Sequence, residues 1–296
     1  MKRCWPRPRT AAITVITATA ALFASACGTA HGESDTADTA HSPTASSPTP
    51  TPTVSPAGVD GSWKVIFDDE FNGTALDTSK WSTGWLASGI TGPVNSFEKE
   101  CYDPAQVSET GGALNLSLIS KTESCGIADP EYASGMVNTN GKFSYTYGFL
   151  QARVWLPAKT GDPSQVADWP AVWTDGQNWP ADGEDDVVEG INGQACAHFH
   201  SGVDPGGVAA ADGTADVSAK SGCVNEILTG GWHTFGANWE PGSVTYYYDG
   251  KDVGSVTSGV TSAPMFVILN YAAGAPYQSP STMKVDYVRV WQKAAN

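Results

Sequence analysis

Apolar and polar side chains alternate along this chain with a period near two from residue 61 onward. Such a period places successive side chains on opposite faces of an extended strand. Turn signals, such as Asn140-Gly141 and Asp249-Gly250, separate the alternating runs, and no run continues as a long amphipathic helix. The pattern therefore predicts an antiparallel β-sandwich of many short strands. The predicted strands are 112–119, 142–147, 151–156, 185–189, 197–201, 232–239, 244–248, 265–270 and 283–291.

The composition agrees with a twisted sheet and also limits the partners. The 296 residues include 32 Gly and 30 aromatic side chains (11 Trp, 10 Tyr and 9 Phe), which suit strands and loops better than a helical bundle. Asp and Glu number 31 against 16 Lys and Arg, which gives a net charge of −15. A surface this acidic repels nucleic acids, anionic membranes and sulfated polysaccharides. Nucleic-acid binding is therefore excluded.

The N-terminal sequence predicts export. Basic residues within the first nine positions precede an apolar stretch, 11–24, that is too short to span a bilayer but fits a signal peptide. The small residues before Cys27 resemble a bacterial lipobox, so we expect a signal peptide over 1–27 and a lipid anchor on Cys27, with simple secretion as the alternative. Residues 28–60 are rich in Ser, Thr and Pro and predict a disordered tether. The folded domain is expected over 61–296, outside the cytoplasm or on the cell surface, as a monomer.

Four cysteines lie in the expected domain, and an exported chain with an even number of them predicts two disulfides. Three pairings are open. We favour Cys101–Cys125 and Cys196–Cys223, since each closes a local loop. A zinc site is disfavoured because no C-x-x-C spacing occurs.

Four carboxylates fall within six residues of one otherwise apolar strand, from Glu184 to Glu189. In a regular strand Glu184 and Asp186 share a face, whereas Glu189 would point the other way. One extra residue, accommodated as a β-bulge near Val187-Val188, returns all three to one face. Three carboxyl groups in a row suit acid/base chemistry on a glycosidic bond. The alternative is a solvated acidic strand face, which is common in a protein this negative.

The context of these carboxylates resembles glycoside hydrolase family 16. The segment 184–189 is similar to that family's E-x-D-x-x-E signature in its bulged, laminarinase-like form, and it follows Trp-Pro pairs at 169–170 and 179–180. Further landmarks match in order over about 62–293: they are 67–71, 141–148, 232–235, 248–250 and 285–291. The resemblance implies a concanavalin-like β-jelly-roll sandwich of two antiparallel sheets with a substrate cleft. It also implies that Glu184 is the nucleophile, Asp186 its helper and Glu189 the general acid/base.

The resemblance extends to substrate contacts. Glycan clefts present aromatic rings to the apolar faces of sugars, and Trp169, Trp173 and Trp179 precede the catalytic strand as candidate platforms. Core packing is the alternative for each of them. His200 matches a family position that faces the cleft, although it could simply bond within the sheet. A metal on the His198-x-His200 pair is disfavoured because no third ligand is visible nearby in the sequence.

A structural calcium ion is common in the family, and Glu70, Gly112 and Asp286 stand at the matching positions. Oxygen ligands of this kind suit Ca²⁺, whereas the alternative is ordinary surface hydrogen bonding. Catalysis itself needs no cofactor.

Asp185 departs from the family, which usually has an apolar residue at this position. Its side chain should point between the sheets, where a lone charge is costly. We therefore expect Asp185 to be paired, with Arg153 as a candidate, or protonated.

Taken together, the sequence predicts a retaining endo-acting hydrolase of β-1,3- or mixed β-1,3-1,4-glucan. The alternatives are a transglycosylase on the same glycans and a non-catalytic, lectin-like binder. No G-x-S-x-G, P-loop or dinucleotide fingerprint supports another chemistry.

Overall fold

A computed structural model describes residues 55–126, 130–202 and 222–294, and its regular structure is almost entirely β. Ten strands form one sheet: β1 (Trp63–Asp69), β3 (Glu100–Tyr102), β4 (Val107–Glu109), β5 (Leu114–Ser120), β6 (Tyr132–Ser134), β8 (Gly148–Trp155), β15 (His233–Glu240), β16 (Ser243–Tyr248), β17 (Lys251–Val256) and β19 (Ser281–Lys293). Seven strands form the other sheet: β2 (Ser82–Thr83), β7 (Met136–Asn138), β11 (Trp169–Asp175), β12 (Glu184–Ile191), β13 (Gln194–His200), β14 (Cys223–Val224) and β18 (Phe266–Ala272). A separate hairpin joins β9 (Ala158–Lys159) and β10 (Asp162–Val166), and one 3₁₀ turn covers Pro104–Gln106.

The strand order confirms the predicted sandwich. The ten-stranded sheet runs β17-β16-β15-β8-β19-β5-β6-β3, with β1 paired to β19 and β4 to β5. The seven-stranded sheet runs β14-β13-β12-β11-β18-β7-β2. The pairs within these two sheets are antiparallel except β3 with β6, which is parallel.

The core lies between the two sheets, where the alternating apolar side chains meet. Leu114, Leu116 and Leu118 of β5 are fully buried, while the residues between them are partly exposed. Val187 and Val188 of β12 belong to the same apolar cluster. The core thus fixes which face of β12 points away from it, and that outward face carries the candidate catalytic carboxylates.

One predicted strand is wrong. Residues 142–147 form no extended ladder and make only an isolated bridge from Tyr145 to Met265. The cause is local, because the backbone amides of Lys142 and Phe143 both donate to the carbonyl of Thr139 and close a turn.

The disulfides Cys101–Cys125 and Cys196–Cys223 are both present, in the favoured pairing. The predicted signal peptide, Cys27 and most of the tether, up to residue 54, lie outside the described residues. Within the described ranges, no helix has the length and apolar character needed to cross a membrane.

Candidate active site

The hairpin of β11 and β12 positions the three carboxylates. Opposite β13, Asp186 pairs with His198 and Glu189 with Cys196, so three steps on β12 match only two on β13. Opposite β11, Trp173 pairs with Asp186 and Val172 with Val188, which leaves Val187 as the extra residue. The predicted β-bulge is therefore confirmed, and it places Glu189 on the face of Glu184 and Asp186.

The carboxylates lie within one continuous cluster that also contains two histidines. Glu184, Asp186 and His200 each offer a ligand-type atom within 4.8 Å of the other two, and Asp186, Glu189 and His198 form a second such group. His200 Nε2 lies 3.2 Å from Asp186 Oδ2. Asp186 thus stands between Glu184 and Glu189, and its helper role stays a prediction.

The sequence shows no third metal-ligand side chain near His198 and His200, but the structure places carboxylates beside each of them. The pairing of β12 with β13, rather than proximity in the sequence, brings these side chains together.

Burial and mutual repulsion keep protons in this cluster. Burial raises the pKa of Glu184 well above its ordinary value; the Asp186 carboxylate raises it further, whereas His200 opposes the shift. Burial likewise raises the pKa of Asp186, and the nearby charge of Glu189 adds to the effect. Carboxyl groups this close cannot all ionise together, so the cluster retains a proton.

Both oxygens of Glu189 are bound. The indole Nε1 of Trp169 donates to Oε2 at 2.8 Å, and His198 Nδ1 lies 2.5 Å from Oε1. These contacts fix the orientation of the carboxyl group. Sequence analysis placed Trp169 near the site, but it weighed His198 only as a metal ligand and missed its contact with Glu189, although His198 and His200 share a strand face.

The three predicted tryptophan platforms differ in exposure. Trp179, in the loop that closes the β11–β12 hairpin, is 52% exposed, and Trp169 is half-buried. Trp173 is only 5% exposed: Trp85 stacks on it with ring centroids 5.7 Å apart, and its Nε1 donates to Asn270. Trp173 therefore lacks the open ring face that the platform prediction needs, and Trp85 is the half-buried ring above it.

Asp175 is a further acidic group that the sequence analysis missed. It pairs with Glu184 across the hairpin, is buried, and has an oxygen, Oδ1, without a hydrogen-bond partner. Burial raises its pKa to about 7. The alternation of β11, which places it on the face of Trp173, is the signal that would have found it.

Asp185 points between the sheets, as predicted, but its partner is not Arg153. Arg153 donates to Asp286, whereas the Tyr246 hydroxyl lies 2.8 Å from Asp185 Oδ1 and 2.9 Å from the carbonyl oxygen of His198. A phenol has one hydrogen, so both contacts are satisfied only if Asp185 carries a proton and donates it to Tyr246. Burial accordingly raises the pKa of Asp185 to about 7. The protonated alternative fits the contacts.

The residues considered for calcium are engaged otherwise. Both oxygens of Glu70 accept from Arg289, at 2.6 and 2.7 Å, and Asp286 accepts from Arg153 at 2.8 Å. Gly112 lies nearby in a loop with positive φ. Arginines thus already neutralise both side-chain carboxylates, and calcium binding stays a prediction.

Known proteins are similar to this chain in both sequence and fold. Residues 137–227, which include the hairpin, match the family model described as the XgeA-like, catalytic GH16 domain. The matched segment, residues 137–227, is thus similar to the catalytic domain of glycoside hydrolase family 16. The sandwich has the jelly-roll fold that the resemblance in the sequence implies.

Individual relatives extend over more of the chain than the family model does. The glucan endo-1,3-beta-glucosidase A1 of Niallia circulans is 30% identical over 274 residues, covering 77% of this chain and 38% of that protein. The keratan-sulfate endo-1,4-beta-galactosidase of Sphingobacterium multivorum is 30% identical, covering 78% of this chain and 55% of that protein. This chain therefore spans about half or less of the length of these two relatives.

Solved structures support the same fold. The laminarinase catalytic domain from Thermotoga maritima MSB8 superimposes with a TM-score of 0.62 at 24% identity, covering 79% of this chain and all of that one.

Proposed function

We propose that this chain hydrolyses internal bonds of a β-1,3- or mixed β-1,3-1,4-glucan with retention of configuration. The observation that carries the proposal is the bulge in β12, which puts Glu184, Asp186 and Glu189 on one face. The relative from Niallia circulans, whose name gives β-1,3-glucan as its substrate, supports a polysaccharide of this class.

In the first step a carboxylate oxygen of Glu184 bonds to the anomeric carbon while the bond from that carbon to the glycosidic oxygen breaks. The departing oxygen takes the proton of Glu189. In the second step Glu189 removes a proton from water, the water oxygen bonds to the anomeric carbon, and the bond to Glu184 breaks. The sugar leaves with its original configuration, and both carboxyl groups return to their starting protonation states.

The other residues act on these two groups. Trp169 and His198 hold the acid/base in one orientation. Asp186 lies beside the nucleophile and helps to separate the protonation of its neighbours. We further propose that Trp179 binds sugar and that the domain works as a monomer, exported and anchored at the cell surface through Cys27.

The first experiment is product analysis on β-1,3-glucan, mixed-linkage glucan and agarose. We expect oligosaccharides from a glucan, none from agarose, and loss of products in Glu184→Gln. Glu226→Gln, which changes an exposed carboxylate outside the cluster, is the matched control and should keep full activity. NMR of the first-formed reducing end should find the β-anomer, whereas an initial α-anomer would overturn retention.

Product analysis with an added oligosaccharide, together with a glucan-binding measurement, separates the alternatives. A transglycosylase would yield products longer than the added oligosaccharide. A lectin-like protein would bind glucan equally well as wild type and as Glu189→Gln and release nothing, which would contradict the hydrolase proposal.

A further inference from the structure

Three aromatic side chains are exposed among the described residues, and two of them line the same groove. Phe97 is 81% exposed, Trp179 52% and Tyr277 48%. Phe97 and Tyr277 border a groove of about 220 Å³ together with Trp169 and Ile191. Large apolar rings left open to solvent around a concavity mark a binding site rather than a core.

The groove adjoins one end of the catalytic row. Trp169, which lines it, is the residue that donates to Glu189, and Gly190 directly after Glu189 also lines it. Trp179 lies at the opposite end, in the loop between β11 and β12 that precedes Glu184. The row of carboxylates therefore has the exposed ring of Trp179 at its Glu184 end and the exposed rings of Phe97 and Tyr277 at its Glu189 end.

The loop that carries Phe97 and the ring of Tyr277 are both held in place. The loop before β3 is fixed by the buried Glu98, whose carboxyl group accepts from the amide of Val94, from Asn95 Nδ2 and from the Tyr102 hydroxyl. This fixed loop presents Phe97 outward.

The ring of Tyr277 is held by contacts with two neighbouring side chains. Its ring is parallel to that of Tyr132, with centroids 6.1 Å apart, and the ammonium group of Lys99 lies 5.7 Å from its centroid. Because the ring of Tyr277 is already held in place, a ligand can bind to it without the entropic cost of ordering that side chain.

We infer that the groove between Phe97, Trp169, Ile191 and Tyr277 is a subsite for the leaving-group side of the glycan. The inference rests on the proposed function. The acid/base must reach the glycosidic oxygen while the nucleophile reaches the anomeric carbon, so the direction from Glu184 to Glu189 leads from the retained sugar to the departing one. The departing sugar then meets the rings beyond Glu189.

The size and lining of the groove fit that occupant. Its volume is below the roughly 300–1,000 Å³ of a pocket for drug-sized ligands, so it suits one sugar ring of a chain that continues into solvent. Among the described residues, no charged side chain lines the groove, which suits a neutral pyranose.

The test compares substrates with and without a departing sugar. We would measure Phe97→Ala and Tyr277→Ala on 4-nitrophenyl β-laminaribioside, which leaves as nitrophenol, and on laminarihexaose. Each variant should keep kcat/KM for the nitrophenyl substrate within about twofold and lose about tenfold on the hexasaccharide, which is the scale of one aromatic contact. Tyr277→Phe, which keeps the ring, should retain activity on both substrates.

Transfer gives a second readout. With laminaribiose added as acceptor, the ratio of transfer to hydrolysis should fall about tenfold in the alanine variants, because the acceptor occupies the same subsite. Ile227→Ala removes another exposed apolar side chain away from the groove and should change neither ratio nor rate.

The outcomes are distinguishable. Equal losses on both substrates would place the groove on the retained side or give it a structural role, and either overturns the inference. Unchanged hexasaccharide kinetics would also overturn it while leaving the proposed function intact. Failure of the wild-type enzyme on both substrates and on mixed-linkage glucan would instead overturn the proposed function, and the inference with it.

Discussion

Asp185 shows how one substitution in an otherwise apolar strand is tolerated. Its carboxyl group is fully buried, and the single hydroxyl hydrogen of Tyr246 cannot serve both Asp185 and the carbonyl of His198. A neutral Asp185 donates a hydrogen bond to the Tyr246 hydroxyl, which is then free to donate to the carbonyl oxygen of His198. An ionised Asp185 would instead be a buried charge with no counter-ion among the described residues.

This arrangement predicts a pH-dependent stability. The folded-state pKa of about 7 lies above the ordinary value near 4, so between these pH values the folded protein keeps a proton that the unfolded chain loses. The stability contributed by Asp185 is therefore present below about pH 4 and is lost as the pH rises to about 7. Asp185→Asn cannot ionise, so it should match wild type near pH 4 and exceed it at pH 8 by up to about 4 kcal/mol.

Urea unfolding across pH 4 to 8 measures this difference. Asp77→Asn is the control, because the Asp77 carboxylate is exposed and hydrogen bonds from Ser79 lower its pKa instead of raising it. A difference between Asp185→Asn and wild type that stays constant with pH would contradict a neutral Asp185.

Glu189 yields a second prediction at this scale, because two side chains hold its two oxygens. Loss of one hydrogen bond to a carboxylate costs about 1.5–3 kcal/mol, so Trp169→Phe and His198→Gln should each lower kcat by about 10- to 100-fold. The double variant should lose less than the product of the two effects, since one missing contact already frees the carboxyl group to rotate.

Steady-state kinetics on the preferred glucan checks this prediction, with thermal melts to confirm folding. His233→Gln is the matched control, because His233 pairs with Asp249 in the other sheet and should leave kcat unchanged. Independent, multiplicative effects of the two variants would indicate that Trp169 and His198 act on different steps.

At the scale of elements, the end of β12 is fixed by close packing around Gly190. A Cβ atom there would lie 2.6 Å from Pro170 Cδ and 2.9 Å from Val166 Cγ1. Gly190→Ala must displace β11 or the end of β10, which costs about 1–3 kcal/mol. Because Gly190 follows Glu189 directly, kcat should also fall. Gly231→Ala, where the nearest atom is His233 Nε2 at 3.4 Å, should be nearly neutral in both denaturant unfolding and kinetics.

Sequence patterning predicts most of the long strands and the bulge, because both follow from the period of two and from the need to keep three carboxylates on one face. The strands β1, β11 and β17 were not predicted: register shifts interrupt the pairing of β1 and β17, and β11 is buried along nearly its whole length, so its sequence does not alternate. The strands of two to five residues were also not predicted, since they are too short to establish a period. The contact of His198 with Glu189 was also missed. It depends on the register between β12 and β13, which neither strand's own sequence determines.

At the scale of the whole molecule, charge bears on which glycans reach the site. The two relatives that are 30% identical to this chain are named for substrates of different charge. The name of the Niallia circulans protein gives a neutral β-1,3-glucan, whereas that of the Sphingobacterium multivorum protein gives keratan sulfate, a polyanion. The net charge of −15 on this chain repels the second class at long range.

This field predicts different salt responses for two polymers with the same backbone. Between about 20 and 500 mM NaCl, kcat/KM on neutral β-1,3-glucan should change by less than about twofold, because no charge on the substrate is screened. Carboxymethylated β-1,3-glucan should be a poor substrate at low salt and should improve several-fold as salt screens the repulsion. Reducing-end assays on both polymers measure this. A carboxymethylated polymer that is cleaved best at low salt would mean that local cationic groups override the net charge, and sulfated glycans would then have to be tested as substrates.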